Sequence, residues 1–329
     1  MLPSDLYLYL FTVLRSLCFR ICSAYSSQRS GTVLSCLCTG PYPDPKYTSR
    51  KAIAEARAES IEEGINPLLD APVYGVNPYR SILHPVGSSQ DLAAEILPPL
   101  EEVVPPLPKL DVRARDLTLL EVIRDDHEEE CVSCVFKVRY RGDPYLLKVY
   151  RGLGDPNRTD FFRLIDGQFR FHNERRAYEH LLHFGVCAEG VVPYCYGWFT
   201  LPVSKETPWL HPFASDTVPP NAILLQYFEG AVKLDVTNVT VDLAEQGLAA
   251  MSRIHEARVL HSDAYPRNHL VLPTGKLVVI DFDAALTWPH EEVTPLRLTQ
   301  EISCCWGMYY RFLLPDRLIG LTPDQATLL

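Results

Sequence analysis

His261-Ser262-Asp263-Ala264-Tyr265-Pro266-Arg267-Asn268 reads H-x-D-x-x-x-x-N, and a second acidic residue, Asp281, closes the β-branched run Val278-Val279-Ile280 soon after. These residue types and this spacing suit phosphoryl transfer. One carboxylate, Asp263, can accept the proton of an attacking hydroxyl, while the Asn268 amide and the Asp281 carboxylate offer hard oxygen ligands to Mg²⁺ on phosphates. Two apolar runs, residues 269–272 and 277–280, flank Pro273-Thr274-Gly275-Lys276. That pattern predicts a hairpin holding the two acidic groups on opposite walls of one cleft.

Elements upstream must position these groups. Tyr145-Leu146-Leu147-Lys148-Val149-Tyr150 is an apolar strand carrying one Lys, after the turn signal Arg141-Gly142-Asp143-Pro144. An ammonium buried on a strand requires an anionic partner. Residues 171–182 supply a helical pattern in which Phe171, Ala177, Tyr178 and Leu181 recur near a 3.6 period, with Glu174 on the same face and Glu179 projecting away. Residues 117–123 and 134–140 read as strands, and residues 222–230 as a core strand ended by Glu229-Gly230. Residues 241–255 form an amphipathic helix, with Leu243, Leu248, Met251 and Ile254 as its buried stripe, leading into the H-x-D segment. His255 and His261 are expected to be packed, hydrogen-bonded braces. Residues 297–314 read as one helix that buries Ile302, Trp306, Tyr309, Tyr310 and Leu313.

Over residues 117–313 the chain resembles the protein-kinase-like superfamily in its catalytic loop and metal-binding motif. It is most similar to small or atypical members: Rio-type kinases, aminoglycoside phosphotransferases, choline kinases and short fungal kinase-like proteins. The resemblance implies that Lys148 contacts nucleotide phosphates and pairs with Glu174. It implies backbone groups around Gln226 and Phe228 on an adenine edge, Asp263 as base, and Asn268 with Asp281 as metal ligands. Arg267 would supply positive charge facing the transferred group, since Tyr265 replaces the usual Lys. ATP and Mg²⁺ are the implied cofactors. Departures are equally specific. Ser262 stands where Ser/Thr kinases carry Arg, and Asp283 replaces the Gly of D-F-G. The connection 124–133 has no glycine and five carboxylates, and only about fifty residues follow Asp281, without an Ala-Pro-Glu anchor.

The fold expected is α+β and two-lobed, with a small antiparallel N-lobe sheet (about 111–228) and a reduced, mainly helical C-lobe (about 229–329). Residues 1–46 read as an extension, disordered or weakly membrane-associated. Residues 47–110 read as an isolated helix (48–63) followed by a proline-rich linker or arm. The formal charge of −10 argues against extended contact with nucleic acid. Ten cysteines show no secreted framework: Cys131 and Cys134 make a lone C-x-x-C, and Cys304-Cys305 reads as core or near-core thiols. The apolar run 6–13 lies between Asp5 and Arg15 and is too short to span a membrane. A cytoplasmic location is expected, with a mitochondrial presequence or a membrane-surface segment as the alternatives for residues 1–30. The expected activity is Mg²⁺-ATP-dependent transfer of a phosphoryl group to a hydroxyl, with protein Ser/Thr as acceptor. A small-molecule kinase of the aminoglycoside or choline kind, and a pseudokinase acting as a binding module, are the alternatives.

Overall fold

Arg141 and Gly142 both take positive φ, 52° and 100°. Two successive left-handed residues make the tight turn that matches strand twist, and they join β2 (Ser133–Tyr140) to β3 (Asp143–Tyr150) with Tyr140 opposite Asp143. The computed structural model describes residues 50–65, 96–124, 132–152, 167–202, 207–214, 216, 218–323 and 326. Within them the chain is mixed α and β. β1 (Leu117–Arg124), β4 (Cys195–Thr200) and β5 (Asn221–Gln226) complete a five-stranded antiparallel sheet in the order β1-β2-β3-β5-β4. The acidic connection after β1 falls at 125–131, outside the described residues, as do residues 1–49 and 66–95.

Alternation along the strands gives the sheet two different faces. Cys134, Phe136, Val138, Leu147, Val149, Ala222 and Leu224 bury against Leu210 and Phe213 of a short 3₁₀ helix, Pro208–Phe213. The opposite face carries Val135 beside Lys148 and Lys137 beside Leu146, and it presents Ile223 and Leu225. Against that side lies α2 (Gly167–His183), whose Phe171, Ala177, Tyr178 and Leu181 are fully buried, as the periodicity required.

The remaining elements pack into the same core. α3 (Val241–Glu256) is capped by Thr240, whose side chain accepts from Leu243 N at 3.1 Å. It buries Leu243, Leu248, Met251 and Ile254. β6 (Val232–Lys233), β8 (His269–Val271) and β9 (Leu277–Val279) form the second small sheet, with Gly275 at φ 80° in the turn. β7 (Val259–Leu260) pairs with β10 (Leu286–Thr287). The helix expected over 297–314 is three pieces: α4 (Pro295–Gly307), a π-helical turn (Met308–Leu313) and α5 (Leu314–Leu318). Pro315 explains the break, because it has no N–H to return to the Arg311 carbonyl and the widened turn absorbs the mismatch. Cys305 is buried and Cys304 is exposed, so only one of that pair is a core thiol.

Gly247 of α3 lies against the Tyr309 ring, and a Cβ there would overlap the Tyr309 hydroxyl and ring carbon. Gly247→Ala is therefore expected to cost about 1–3 kcal/mol through overpacking, read as a fall in melting temperature. Tyr309→Phe should restore part of that loss.

Two segments before the sheet are integral to the fold. α1 (Arg50–Ser60), continued by a π turn (Ile61–Ile65), is not isolated: Ile65 is buried in the main core, and the Arg57 guanidinium pairs at two points with Asp316 of α5. Long-range burial, invisible to a local period, accounts for the difference. The end of the proline-rich arm, residues 107–110, lies along β4, with Trp198 N donating to Pro108 O at 3.0 Å and Leu110 N to Trp198 O at 2.8 Å. Leu107 N donates to Glu179 Oε1 at 3.0 Å, and Leu107 is buried. Residues Ser49–Leu329 form one compact unit. Among the described residues, no helix is long and apolar enough to cross a membrane.

Candidate active site

Lys148 projects from the middle of β3 into the space between the sheet, α2 and the segment after β9. Its Nζ lies 2.9 Å from Glu174 Oε2 and 3.2 Å from Asp283 Oδ2, and it also pairs with Asp281 Oδ1. The residue is 4 % exposed. Burial alone would lower the affinity of this ammonium for its proton, but Asp281, Asp283 and Glu174 outweigh burial and hold it charged far above neutrality. Glu174 answers in the opposite sense. Its complete burial raises the carboxyl to about 7 even though the Lys148 ammonium pulls downward. Burial would also raise Asp281, yet Lys148, by charge and by hydrogen bond, holds that carboxyl well below the usual range. The Arg124 guanidinium lies 4.0 Å from Asp281 Oδ2.

α2 supplies a row of polar side chains toward the segment Asp281-Phe282-Asp283. Arg170 Nη1 is 2.7 Å from Asp283 Oδ1, Asn173 Nδ2 donates to the Asp283 carbonyl at 3.3 Å, and Glu174 Oε1 accepts from Phe282 N at 3.3 Å. One turn further on, the Tyr178 ring packs on Phe282 with centroids 5.6 Å apart. Positions 170, 173, 174 and 178 share one helical face.

A second group gathers around Asp263. Arg267 Nη2 lies 2.6 Å from Oδ1, and the Asn268 amide nitrogen donates to Oδ2 at 3.0 Å and to the Asp263 carbonyl at 2.8 Å. Asn268 is buried, whereas Arg267 is largely exposed over the Tyr265 ring. The backbone ties this group to the Lys148 cluster: Ile280 N donates to Asn268 O at 2.9 Å, and the Ile280 carbonyl lies 3.0 Å from His261 Nε2. Ser262 and Asp281 have φ of 62° and 70°, left-handed values costly for residues other than glycine. Strain of this kind persists where surrounding contacts over-determine the backbone.

Those contacts include a residue the sequence reading missed. Glu301 of α4 accepts from His261 N at 3.0 Å and from Ser262 N at 2.6 Å, and it lies 2.8 Å from His255 Nε2. Burial opposes its charge, but the His255 bond and neighbouring groups hold this carboxyl below the usual range. Glu301 shares a helix face with Leu298, Ile302 and Cys305, all buried. An acid within an apolar stripe was the available signal. Glu301→Gln turns one acceptor into a donor facing an N–H, so a loss of about 1–3 kcal/mol in urea denaturation is expected, with faster amide exchange at residues 261–263.

Gln226 and Phe228 lie at the end of β5. Gln226 N donates to Tyr194 O at 2.8 Å, its Oε1 accepts from Tyr194 N at 3.2 Å, and Phe228 O accepts from Ala231 N at 3.5 Å. Two of the backbone groups expected at an adenine edge thus have protein partners. Glu179, set aside as the less suitable partner for Lys148, pairs instead with Arg175 at 3.4 Å. Lys148, Glu174 and Asp281 are therefore in one cluster, Asp263, Arg267 and Asn268 in a second, and Gln226 and Phe228 apart from both. Among the described residues there is no group of three or more His, Cys, Asp or Glu able to hold a metal ion. No protein-family model matches the chain, and no curated protein sequence matches it.

Proposed function

We propose that this chain is a Mg²⁺-ATP-dependent phosphotransferase of two-lobed, protein-kinase-like fold, transferring the γ-phosphoryl group to a hydroxyl. The observation that carries this reading is the buried Lys148 ammonium within 2.9 Å of Glu174 and paired with Asp281, joined through Ile280 to Asp263 and Asn268. Lys148 would hold phosphate oxygens, and Glu174 fixes the position from which it does so. Asp263, whose Oδ2 is oriented by the Asn268 amide, would take the proton of the acceptor hydroxyl. Arg267 would turn from Asp263 to the charge on the transferred group.

The oxygen donors suit Mg²⁺. Asp281 is held ionised, and Asn268 directs its amide nitrogen to Asp263, leaving oxygen as the donor atom it can offer a cation. Two protein ligands are few, but Mg²⁺ commonly completes its shell with water and substrate phosphates. When bound, it would neutralise charge on the phosphates. A protein Ser/Thr acceptor is the preferred substrate and a small hydroxylated molecule the alternative; assays against both classes separate them.

The Arg267–Asp263 pair favours a second reading. A base carboxylate already paired with a guanidinium fits a nucleotide-binding module without turnover, a pseudokinase.

The test is a thermal-shift titration with ATP, with and without Mg²⁺, followed by turnover of Asp263→Asn. Because a ligand of the folded state raises the melting temperature, a Mg²⁺-dependent rise is expected. Asp263→Asn should keep that rise and lose turnover by about 10²- to 10⁴-fold. No rise at millimolar ATP would remove the phosphotransferase reading, and a rise without turnover of any acceptor would leave the module.

A further inference from the structure

Asp283 occupies the position after Asp281-Phe282, where the chain has a carboxylate rather than a residue without a side chain. Its side chain is 8 % exposed and bridges two cations from different elements: Arg170 of α2 at 2.7 Å through Oδ1 and Lys148 of β3 at 3.2 Å through Oδ2. Its backbone is held as well, by Asn173 Nδ2 at 3.3 Å on the carbonyl. Immediately before it, Phe282 N donates to Glu174 and the Phe282 ring packs on Tyr178. The first turns of α2 are thus fastened to this segment through Arg170, Asn173 and Glu174.

We propose that Asp283 is a positioning residue that locks the N-terminal half of α2 against the Asp281–Asp283 segment. It thereby keeps Glu174 in reach of Lys148 without any modification or partner. The inference rests on the functional reading of Lys148 given above, but the contact itself does not. A bridging carboxylate supplies one charge to two cations, so its removal strands Arg170 and leaves the start of α2 tied to this segment by the weaker Asn173 and Glu174 contacts, with Gln168 still bonded to Arg151 O and Asn221 on the sheet side. Lys148 keeps Glu174 and Asp281, and the sheet is not directly disturbed. The lesion should therefore be local.

Amide hydrogen exchange reports such local opening directly. In Asp283→Gly, exchange at residues 168–174 is expected to accelerate about tenfold, while α3 keeps its wild-type rates. Asp283→Asn, which keeps the shape but only one acceptor oxygen for the two cations, should recover part of the protection. Arg170→Gln should produce the same local acceleration and add little to Asp283→Gly, since contacting residues in one network are not additive. Wild-type exchange in Asp283→Gly, acceleration spread equally over α2 and α3, or additive effects of the two substitutions would each overturn the proposal. Mg²⁺-ATP affinity of the same proteins, measured by calorimetry, should fall about tenfold in Asp283→Gly and partly return in Asp283→Asn. Unchanged affinity in Asp283→Gly would overturn its positioning role. If the wild type itself binds no Mg²⁺-ATP, the nucleotide reading fails, whereas the exchange measurements still decide whether Asp283 locks α2.

Discussion

Lys148→Met is expected to abolish Mg²⁺-ATP binding and to destabilise the fold by about 3–5 kcal/mol at pH 7.5, the usual cost of removing one partner from a buried ionic cluster. The reason is electrostatic. Glu174, Asp281 and Asp283 converge on one ammonium, and without it two buried carboxylates and the part-exposed Asp281 face one another with that charge gone. The chain's remaining remedy is to take up a proton. Glu174 is already raised to about 7 by its burial, and loss of Lys148 removes the charge that opposes this. A carboxyl whose folded-state pKa exceeds its unfolded value contributes stability that is complete below the unfolded value, near 4.5, and is lost as pH rises through the folded one. Urea denaturation of Lys148→Met should therefore show stability declining between pH 5 and 8 more steeply than in the wild type. A pH-independent deficit would show that the three carboxylates do not interact as the geometry requires.

Asp316→Ala should be nearly as damaging, although it lies outside the candidate site. Asp316 is fully buried, and both its oxygens receive the Arg57 guanidinium of α1, which is itself 7 % exposed. Deleting the acid leaves an unpaired buried charge, for which a loss of about 3–5 kcal/mol is expected. In a chain of this size that amounts to about 4–7 °C in melting temperature. The double change Arg57→Met, Asp316→Leu removes charge and desolvation together and should recover most of the loss. Hydrogen exchange over residues 52–60 would show whether α1 separates first. A variant with wild-type melting and a protected α1 would mean that the Ile65 contacts alone hold the helix.

What could be read from the sequence follows from how locally each feature is encoded. The strand carrying Lys148, the helix carrying Glu174 and the hairpin between Asn268 and Asp281 all announce themselves by periods of 2 or 3.6 and by turn residues, and each formed where expected. Burial of Lys148 could be inferred because an ammonium on an apolar strand has few other fates. By contrast, Arg57 sits on a helix with a mostly polar surface, and nothing near it in sequence signals a partner on α5. Glu301 lay within a recognised apolar stripe, but its role depends on backbone N–H groups at His261 and Ser262 whose left-handed turn no side-chain pattern reports. Arg170 and Asn173 were legible only once Asp283 was seen beneath them. The break at the π turn has its sequence signal in Pro315, one residue past the helix that the aromatic stripe suggests.

The strand-like arm at residues 107–110 has a consequence for self-association. A sheet edge with open N–H and C=O groups is a template for intermolecular pairing, and here the β4 edge is occupied at Trp198 by Pro108 and Leu110. At the opposite edge β1 is interrupted by register shifts at Leu119/Glu121 and Val122/Arg124, which discourage regular strand addition although Leu120, Val122 and Ile123 are exposed. A chain shortened to begin at residue 111, the boundary that sequence pattern alone suggests, would bare the β4 edge beside the Trp198 indole. Loss of solubility in such a fragment would reflect an unsealed sheet rather than a domain unable to fold.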